Sequence, residues 1–93
     1  MKATWNNQII AESDDTTVVE NNHYFPFESV KMEYLTKNGG TYTCHWKDIC
    51  DYYDVTIDGK TAKNGAWVYP EPTPEAEHIR GKFAFWQGVE VQS

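Results

Sequence analysis

The sequence has few basic residues, and their scarcity excludes two classes of partner. It contains eight Lys and Arg against fourteen Asp and Glu, which gives a formal net charge of −6. The basic residues form no cluster along the chain. A surface that is negative overall repels the phosphate backbone of nucleic acids and the anionic headgroups of membranes. We therefore expect neither nucleic acid nor a membrane as a partner.

Long hydrophobic runs are also missing. No apolar stretch approaches the ~20 residues that a membrane-spanning helix requires, and residues 1–5 lack the apolar segment of a signal peptide. These absences predict a soluble, cytoplasmic protein. Cysteine is scarce too, and we expect Cys44 and Cys50 to stay reduced in that compartment.

Aromatic residues are abundant where aliphatic residues are modest in number. The chain has four Trp, six Tyr and four Phe, and one aromatic side chain buries about 150–250 Å². These side chains can fill the thin core of a short chain without disulfides. No repeat, low-complexity tract or linker divides the sequence, so we predict a single domain over residues 1–93.

Turn-forming pairs separate short β-branched or alternating segments, which is typical of an antiparallel all-β fold. The strongest strand pair covers residues 41–47 and 51–57, and alternation over residues 29–35 favours a further strand. The expected turns and loops lie at Asn6-Asn7, Asp14-Asp15, Asn21-Asn22, Asn38-Gly39-Gly40, Asp58-Gly59, Asn64-Gly65 and Gln87-Gly88.

At most one short helix is expected, near residues 74–80. Thr73 is its candidate N-cap, Pro74 its first residue and Gly81 its end. Such a helix has about two turns, which is too short to be stable without packing.

The central hairpin allows a prediction about the two cysteines. If Asp48-Ile49 forms a two-residue loop, Cys44 faces Tyr53. Cys44 and Cys50 then point to opposite faces of the sheet, which no disulfide allows. This register also directs Lys47 away from Cys44. Lys47 shares a polar face with His45, Tyr52, Asp54 and the Cys50 thiol, and we interpret this face mainly as a solvated side of the sheet.

Motifs for metal and phosphate binding are absent. A structural zinc site needs four ligands, whereas Cys44, His45 and Cys50 supply three at most. No Gly-x-Ser-x-Gly elbow and no phosphate-binding glycine loop is present. We therefore expect no metal and no cofactor.

The aromatic residues have two interpretations. They fill the core, which we favour for most of them, or they line a pocket that stacks a planar or sugar-like ligand. Alternation places Trp67 and Tyr69 on one side of a strand, beside the stiff Pro-rich residues 70–74. A polar-tipped aromatic residue at such a rim is suited to binding.

Several segments, taken in order, resemble the domain-of-unknown-function family numbered 427, which carries a nucleotidyltransferase-like label. The family typically has Pro at the position of His45 and Gly at that of Asp48. The matching segments are Glu12-Ser13, residues 16–20, Asn22, Tyr24-Phe25-Pro26, Glu28-Ser29-Val30, Thr43-Cys44, Trp46-Lys47, Tyr52-Tyr53, Ala66-Trp67, Tyr69-Pro70, Pro72 and residues 81–91.

The resemblance implies a β-tent fold, like that of methionine sulfoxide reductase B and the zinc-binding Rab-accessory proteins. Those relatives hold zinc on paired Cys-x-x-Cys loops, which this chain lacks. Nucleotidyl transfer requires carboxylates that hold Mg²⁺ and a loop that cradles a triphosphate. The sequence has no spaced carboxylate pair after a Gly-Ser turn, so we do not adopt that activity.

Our leading hypothesis is an uncharacterised small domain that binds a small molecule or a protein in an aromatic-lined cleft. One alternative is an enzyme that uses the Cys44 thiolate or the Lys47 cation in transferase chemistry. Another is a structural homodimerisation module that pairs through an exposed strand edge. The candidate ligand-binding residues are Glu12, Tyr24, Ser29, Cys44, Trp46, Lys47, Trp67 and Tyr69.

Overall fold

The computed structural model describes residues 1–93 and consists of nine strands with three short 3₁₀ helices. The predicted all-β class with little helix is confirmed, since the longest helical segment has six residues. The strands are β1 Lys2–Trp5, β2 Gln8–Glu12, β3 Thr17–Val19, β4 Asn22–Tyr24, β5 Leu35–Cys44, β6 Asp48–Ile57, β7 Lys60–Val68, β8 Phe83–Phe85 and β9 Glu90–Gln92, and the 3₁₀ helices are Phe27–Ser29, Met32–Tyr34 and Pro74–Ile79.

The strands form three antiparallel sheets. The largest has the order β5-β6-β7-β8, a second has the order β2-β1-β9, and β3 pairs with β4 alone. The β3–β4 hairpin is attached to the large sheet beside β8, because the backbone N–H groups of Phe25 and Phe83 each donate to the other's carbonyl, at 2.7 and 3.0 Å. This attachment brings the tip of the hairpin over one face of the large sheet.

Two-residue turns with positive φ close several hairpins. Asn6-Asn7 adopts this conformation, as predicted, and so does Asp58-Gly59, which we expected to open a longer loop that ends at Asn64-Gly65. The β3–β4 turn lies one residue earlier than expected, at Glu20 and Asn21, with φ of 54° and 66°. Asn22 instead pairs with Val19 as the first residue of β4. This register points the buried Tyr24 inward.

Two glycine-containing segments that we predicted as a turn and a loop are irregularities inside strands. Asn38-Gly39-Gly40 lies within β5 and Asn64-Gly65 within β7, where the pairing registers with β6 shift. A Cβ at Gly65 would lie 3.0 Å from the Ala62 carbonyl oxygen, so this close approach favours glycine. The predictions failed because turns and β-bulges use the same residue types.

The region before β5 and the segment after β7 also test the helix and strand predictions. The strand predicted over residues 29–35 is wrong, since two 3₁₀ helices precede Leu35. The expected short helix exists as the 3₁₀ helix Pro74–Ile79, with Pro74 first and a left-handed Gly81 (φ 69°) after it. Thr73 precedes the helix without capping it through its side chain.

The register of the central hairpin differs from our prediction. Cys44 pairs with Asp48 rather than Tyr53, so His45, Trp46 and Lys47 form the turn. The partner of Cys44 on β6 moves by five positions, from 53 to 48. Because five is an odd number, each side chain of β6 lies on the opposite face, relative to β5, from the one that we predicted. Tyr42 pairs with Cys50, which puts both cysteines on one face. The prediction of opposite faces is wrong.

Buried side chains form two clusters. The larger cluster packs the three-stranded sheet against the four-stranded sheet with aliphatic residues and Phe only, including the fully buried Phe25. The smaller cluster underlies the opposite side of β6 and β7 and is rich in aromatic and sulfur-containing side chains. Its buried members are Tyr24, Cys50, Trp67, Tyr69, Ala76, Ile79 and Ala84.

None of the three short helices combines the length and the apolar character that crossing a membrane requires.

Candidate functional site

A cleft of about 380 Å³ lies over the smaller cluster. Strands β4, β5, β6 and β7, the tip of the β3–β4 hairpin and the turn after β5 all contribute to its walls. Seven of its ten lining residues are hydrophobic. They are Glu20, Asn22, Tyr24, Tyr42, Lys47, Cys50, Tyr52, Trp67, Tyr69 and Trp86.

The aromatic side chains of the cleft orient one another. The indole N–H of Trp67 donates to the Tyr24 hydroxyl at 3.1 Å in the interior. Trp86 contacts Trp67 edge-on, with ring centroids 5.3 Å apart, and stacks on Tyr52 at 6.3 Å with an interplanar angle of 8°. The indole N–H of Trp86 donates to the Asn64 carbonyl at 2.6 Å. Because the polar atoms of Tyr24, Trp67 and Trp86 are paired, these three rings form a largely pre-organised wall.

The cleft has a buried floor and an exposed rim. Tyr24 and Tyr69 are buried, and burial is the main cause that raises the pKa of each hydroxyl. Both phenols are therefore neutral at physiological pH. Tyr42 is 58% exposed and Trp86 is 43% exposed, so they present free aromatic surface at the entrance.

Lys47 is a buried charged residue at the edge of the cleft, only 5% exposed. Its ammonium lies 4.8 Å from the centroid of the Trp46 ring and 5.6 Å from that of Tyr69, and it forms an ion pair with Glu20. Burial lowers the pKa of Lys47, but the hydrogen bond to Glu20 and the charge on Cys44 outweigh it, so the pKa is raised. Lys47 therefore stays protonated and supplies a fixed positive charge.

The Pro-rich segment holds the turn that carries Lys47. The hydroxyl of Thr73 donates to the Trp46 carbonyl, and the Thr73 backbone N–H donates to the Lys47 carbonyl at 3.3 Å. Residues 70–74 contain three prolines and have little conformational freedom. The turn is thus fixed from outside as well as by its own hairpin.

The pKa values of the two cysteine thiols are shifted in opposite directions. Burial raises the pKa of Cys44, but the backbone N–H groups of Trp46 and Lys47, together with the Lys47 charge, outweigh it and lower the pKa. Burial dominates at Cys50 and raises its pKa. Our prediction that Lys47 points away from Cys44 is wrong, and the corrected register is the reason.

The structure brings together six of the eight candidate residues. Tyr24, Lys47, Trp67 and Tyr69 line the cleft, while Trp46 and Cys44 lie beside Lys47.

Two candidates lie elsewhere. Glu12 ends β2 and forms an exposed ion pair with Lys2 at 4.0 Å, and the Ser29 hydroxyl donates to the Pro26 carbonyl at 2.7 Å.

Six lining residues were not among our candidates. The correct register would have indicated Tyr42, Cys50 and Tyr52, because they alternate on the face of Cys44. No sequence signal links Glu20 to Lys47, which is 27 positions away. The full set is Glu20, Asn22, Tyr42, Cys50, Tyr52 and Trp86.

The structure contains no group of three or more His, Cys, Asp or Glu side chains arranged to hold a metal ion.

Comparison with known proteins identifies a family. No curated protein matches the chain significantly. One family model, described as "Domain of unknown function (DUF427)", matches residues 1–93, and its nucleotidyltransferase-like wording occurs only in its short identifier. Asp48, at the position where the resemblance implies glycine, has a left-handed φ of 81°, a conformation that Asp adopts more readily than most other residues. The predicted resemblance is confirmed, and the chain belongs to the DUF427 family over its whole length.

Proposed function

We propose that this protein binds a small molecule in the aromatic cleft, with a planar part of the ligand against Trp86 and Tyr42 and a polar part directed to Lys47. The observation that carries the proposal is the combination of a 380 Å³ cleft, a mainly hydrophobic lining and one buried cation. Ligand sites are commonly concave, about 300–1,000 Å³ in volume, and apolar with few polar groups.

The satisfied polar atoms of the wall support the same proposal. A cleft whose rings already pack against one another needs little ordering when a ligand enters, which reduces the entropic cost of binding. The exposed faces of Tyr42 and Trp86 are available for stacking.

A thermal-shift screen of metabolites, followed by titration of each hit, tests the proposal. A ligand that binds only the folded protein at about 100 times its Kd adds about 2.7 kcal/mol of stability. The variant Tyr42→Ala should weaken every hit that uses the cleft. The matched control is Phe27→Ala, because Phe27 is 57% exposed and lies outside the lining. Hits that respond equally to both variants would argue against the cleft as the site.

Thiol chemistry at Cys44 is a second candidate function. The corrected register puts Lys47 beside Cys44 and lowers the pKa of the thiol, which favours the nucleophilic thiolate. Cys44 does not line the cleft, so binding in the cleft has the stronger support.

The proposal also includes three expectations about the protein that go beyond ligand binding in the cleft. These are a β-tent architecture, a cytoplasmic location and a small-molecule or protein partner rather than nucleic acid or a membrane. A homodimer is a further proposal, supported by the position of β5 at an edge of the large sheet. Light scattering after size exclusion measures its mass directly.

A further inference from the structure

Two hydrogen-bond donors at the edge of the cleft converge on one carboxylate. The Lys47 ammonium donates to Oε1 of Glu20, and the Trp46 indole N–H donates to Oε2 of the same residue at 3.4 Å. Both donors belong to the turn between β5 and β6. These two donors can bind an oxyanion, and we call the pair the seat. In the structure the Glu20 carboxylate occupies it.

The donor side of this seat is fixed. The Lys47 side chain is only 6% exposed, and its ammonium lies 4.8 and 5.6 Å from the centroids of the Trp46 and Tyr69 rings. Thr73 holds the backbone carbonyls of both Trp46 and Lys47. A buried ammonium is costly unless it is paired, so the seat requires an anion.

The acceptor side is much less constrained. The Glu20 side chain is 54% exposed, and its backbone is the first residue of a left-handed two-residue turn. The hairpin that carries it has strands of three residues each. Another anion can therefore replace the Glu20 carboxylate while Lys47 stays paired.

The seat and the aromatic wall belong to one cavity. Lys47 and Glu20 line the cleft together with Tyr42, Tyr52 and Trp86. Resting on the proposed function, we propose that the Trp46–Lys47 turn is an oxyanion subsite of the cleft and that its ligand is a planar ring compound carrying a carboxylate or a phosphate. Glu20 is the internal competitor that this anion displaces.

A cationic ligand is the opposing possibility, since aromatic rings and a carboxylate attract cations. The protonated, buried Lys47 repels a second cation at the same place. The two possibilities predict opposite effects of neutralising Glu20, because Glu20 competes with an anion but attracts a cation.

Titration of the ¹⁵N-labelled protein with naphthalene probes of different charge tests the proposal. The probes are 2-naphthoate, 2-naphthyl phosphate, 2-naphthalenemethanol and 2-naphthylmethylammonium, and shifts of the cleft amides report binding. We expect the two anions to bind about tenfold more tightly than the alcohol, as one additional charge-assisted contact allows.

The variant Glu20→Gln should tighten the anions about threefold or more relative to the alcohol, since it removes the carboxylate that competes with them. Glu77→Gln is the matched control. It changes the net charge equally, and Glu77 is 58% exposed and paired with Arg80 outside the cleft. Lys47→Met should bring the affinity for the anions down to about the affinity for the alcohol.

Three results would overturn the subsite. The first is that Glu20→Gln binds the anionic probes more weakly than the wild type does. The second is that Glu77→Gln increases the affinity for the anionic probes as much as Glu20→Gln does. The third is that the wild-type protein binds the ammonium probe or the alcohol more tightly than the anionic probes. In each of these cases, binding of the alcohol at the cleft amides leaves the proposed function standing. If no probe shifts the cleft amides, both the subsite and the proposed function are overturned.

Discussion

The two buried clusters of this protein are built from different chemistry. The cluster between the sheets contains only aliphatic residues and Phe, so nothing in it requires a polar partner. The cluster under the cleft contains Tyr24, Tyr69, Trp67 and Cys50 and borders the buried Lys47. Polar groups of this kind cost free energy unless they are paired. The comparison indicates that the first cluster holds the sheets together, whereas the second contains buried polar groups that are paired beneath the cleft.

The largest expected effect on stability comes from the first cluster. Phe25 is fully buried and packs edge-on against Phe85 at 5.5 Å. Phe25→Ala should lower the free energy of unfolding by about 3–5 kcal/mol, because it removes apolar contacts and leaves a cavity. Urea denaturation measures this change. Phe27→Ala, at an exposed position, should cost far less, and equal losses would contradict the assignment of Phe25 to the stabilising core.

A smaller effect is expected from the second cluster. Tyr24→Phe preserves the ring but removes the hydroxyl that accepts the hydrogen bond of the Trp67 indole. The unpaired buried N–H should cost about 1–3 kcal/mol. Denaturation together with Trp fluorescence would detect both the loss of stability and a change around Trp67. Tyr34→Phe, in the 3₁₀ helix Met32–Tyr34 and outside the cleft, is the control, and an equal cost there would show that the effect is not specific to the cleft.

Asp54 connects the two β-bulges to the cleft wall. Its carboxylate accepts hydrogen bonds from the Asn64 backbone and the Asn38 side chain, at 2.9 and 2.8 Å, and the Asn64 carbonyl holds the Trp86 indole. We expect Asp54→Ala to cost about 1 kcal/mol and to change the emission of Trp86. Asp51→Ala, which removes a carboxylate from the same strand, is the control.

The effect of Asp54 should depend on pH. The hydrogen bond from Asn64, followed by that from Asn38, lowers the pKa of Asp54 below its usual value of 3.8. The unfolded chain therefore binds the proton first as the pH falls. The stabilisation is complete above the unfolded pKa and is lost as the pH falls through the lowered folded pKa. The difference in stability between wild type and Asp54→Ala should shrink below about pH 4, and a difference that does not depend on pH would contradict this account.

The smallest expected effect is a difference in reactivity between the two thiols, which chemical labelling measures directly. Cys44 has a lowered pKa and is partly exposed, whereas Cys50 is buried with a raised pKa. Cys44 should react with iodoacetamide in the folded protein, and its rate should rise with pH earlier than that of a free thiol. Mass spectrometry of the Cys44→Ala and Cys50→Ala variants measures each rate. Faster labelling of Cys50 would contradict the corrected hairpin register.

Local sequence signals predicted the parts of the fold that depend on neighbouring residues. Asn6-Asn7 and Asp58-Gly59 form turns because these residue types adopt positive φ at low cost. Pro74 starts a short helix because its φ is already helical. The same signals misled us at Asn38-Gly39-Gly40 and Asn64-Gly65, because a bulge requires the same backbone conformations as a turn.

The candidate site was only partly predictable. The family-like segments indicated Tyr24, Lys47, Trp67 and Tyr69, which line the cleft, but they also indicated Glu12, which lies on another sheet. A motif shared along a chain does not state which of its residues meet in space. The register of β5 and β6 had to be known before Tyr42 and Cys50 could be assigned to the same face as Cys44.

By itself, the sequence determined the all-β class, the family and the positions of the simplest turns, because each of these depends on local composition or on the order of motifs. Tertiary structure decided the rest. Thr73 holds the Trp46–Lys47 turn, and the β3–β4 hairpin carries Glu20 to Lys47 across 27 positions. Such contacts depend on how separate elements pack, and no local pattern encodes them.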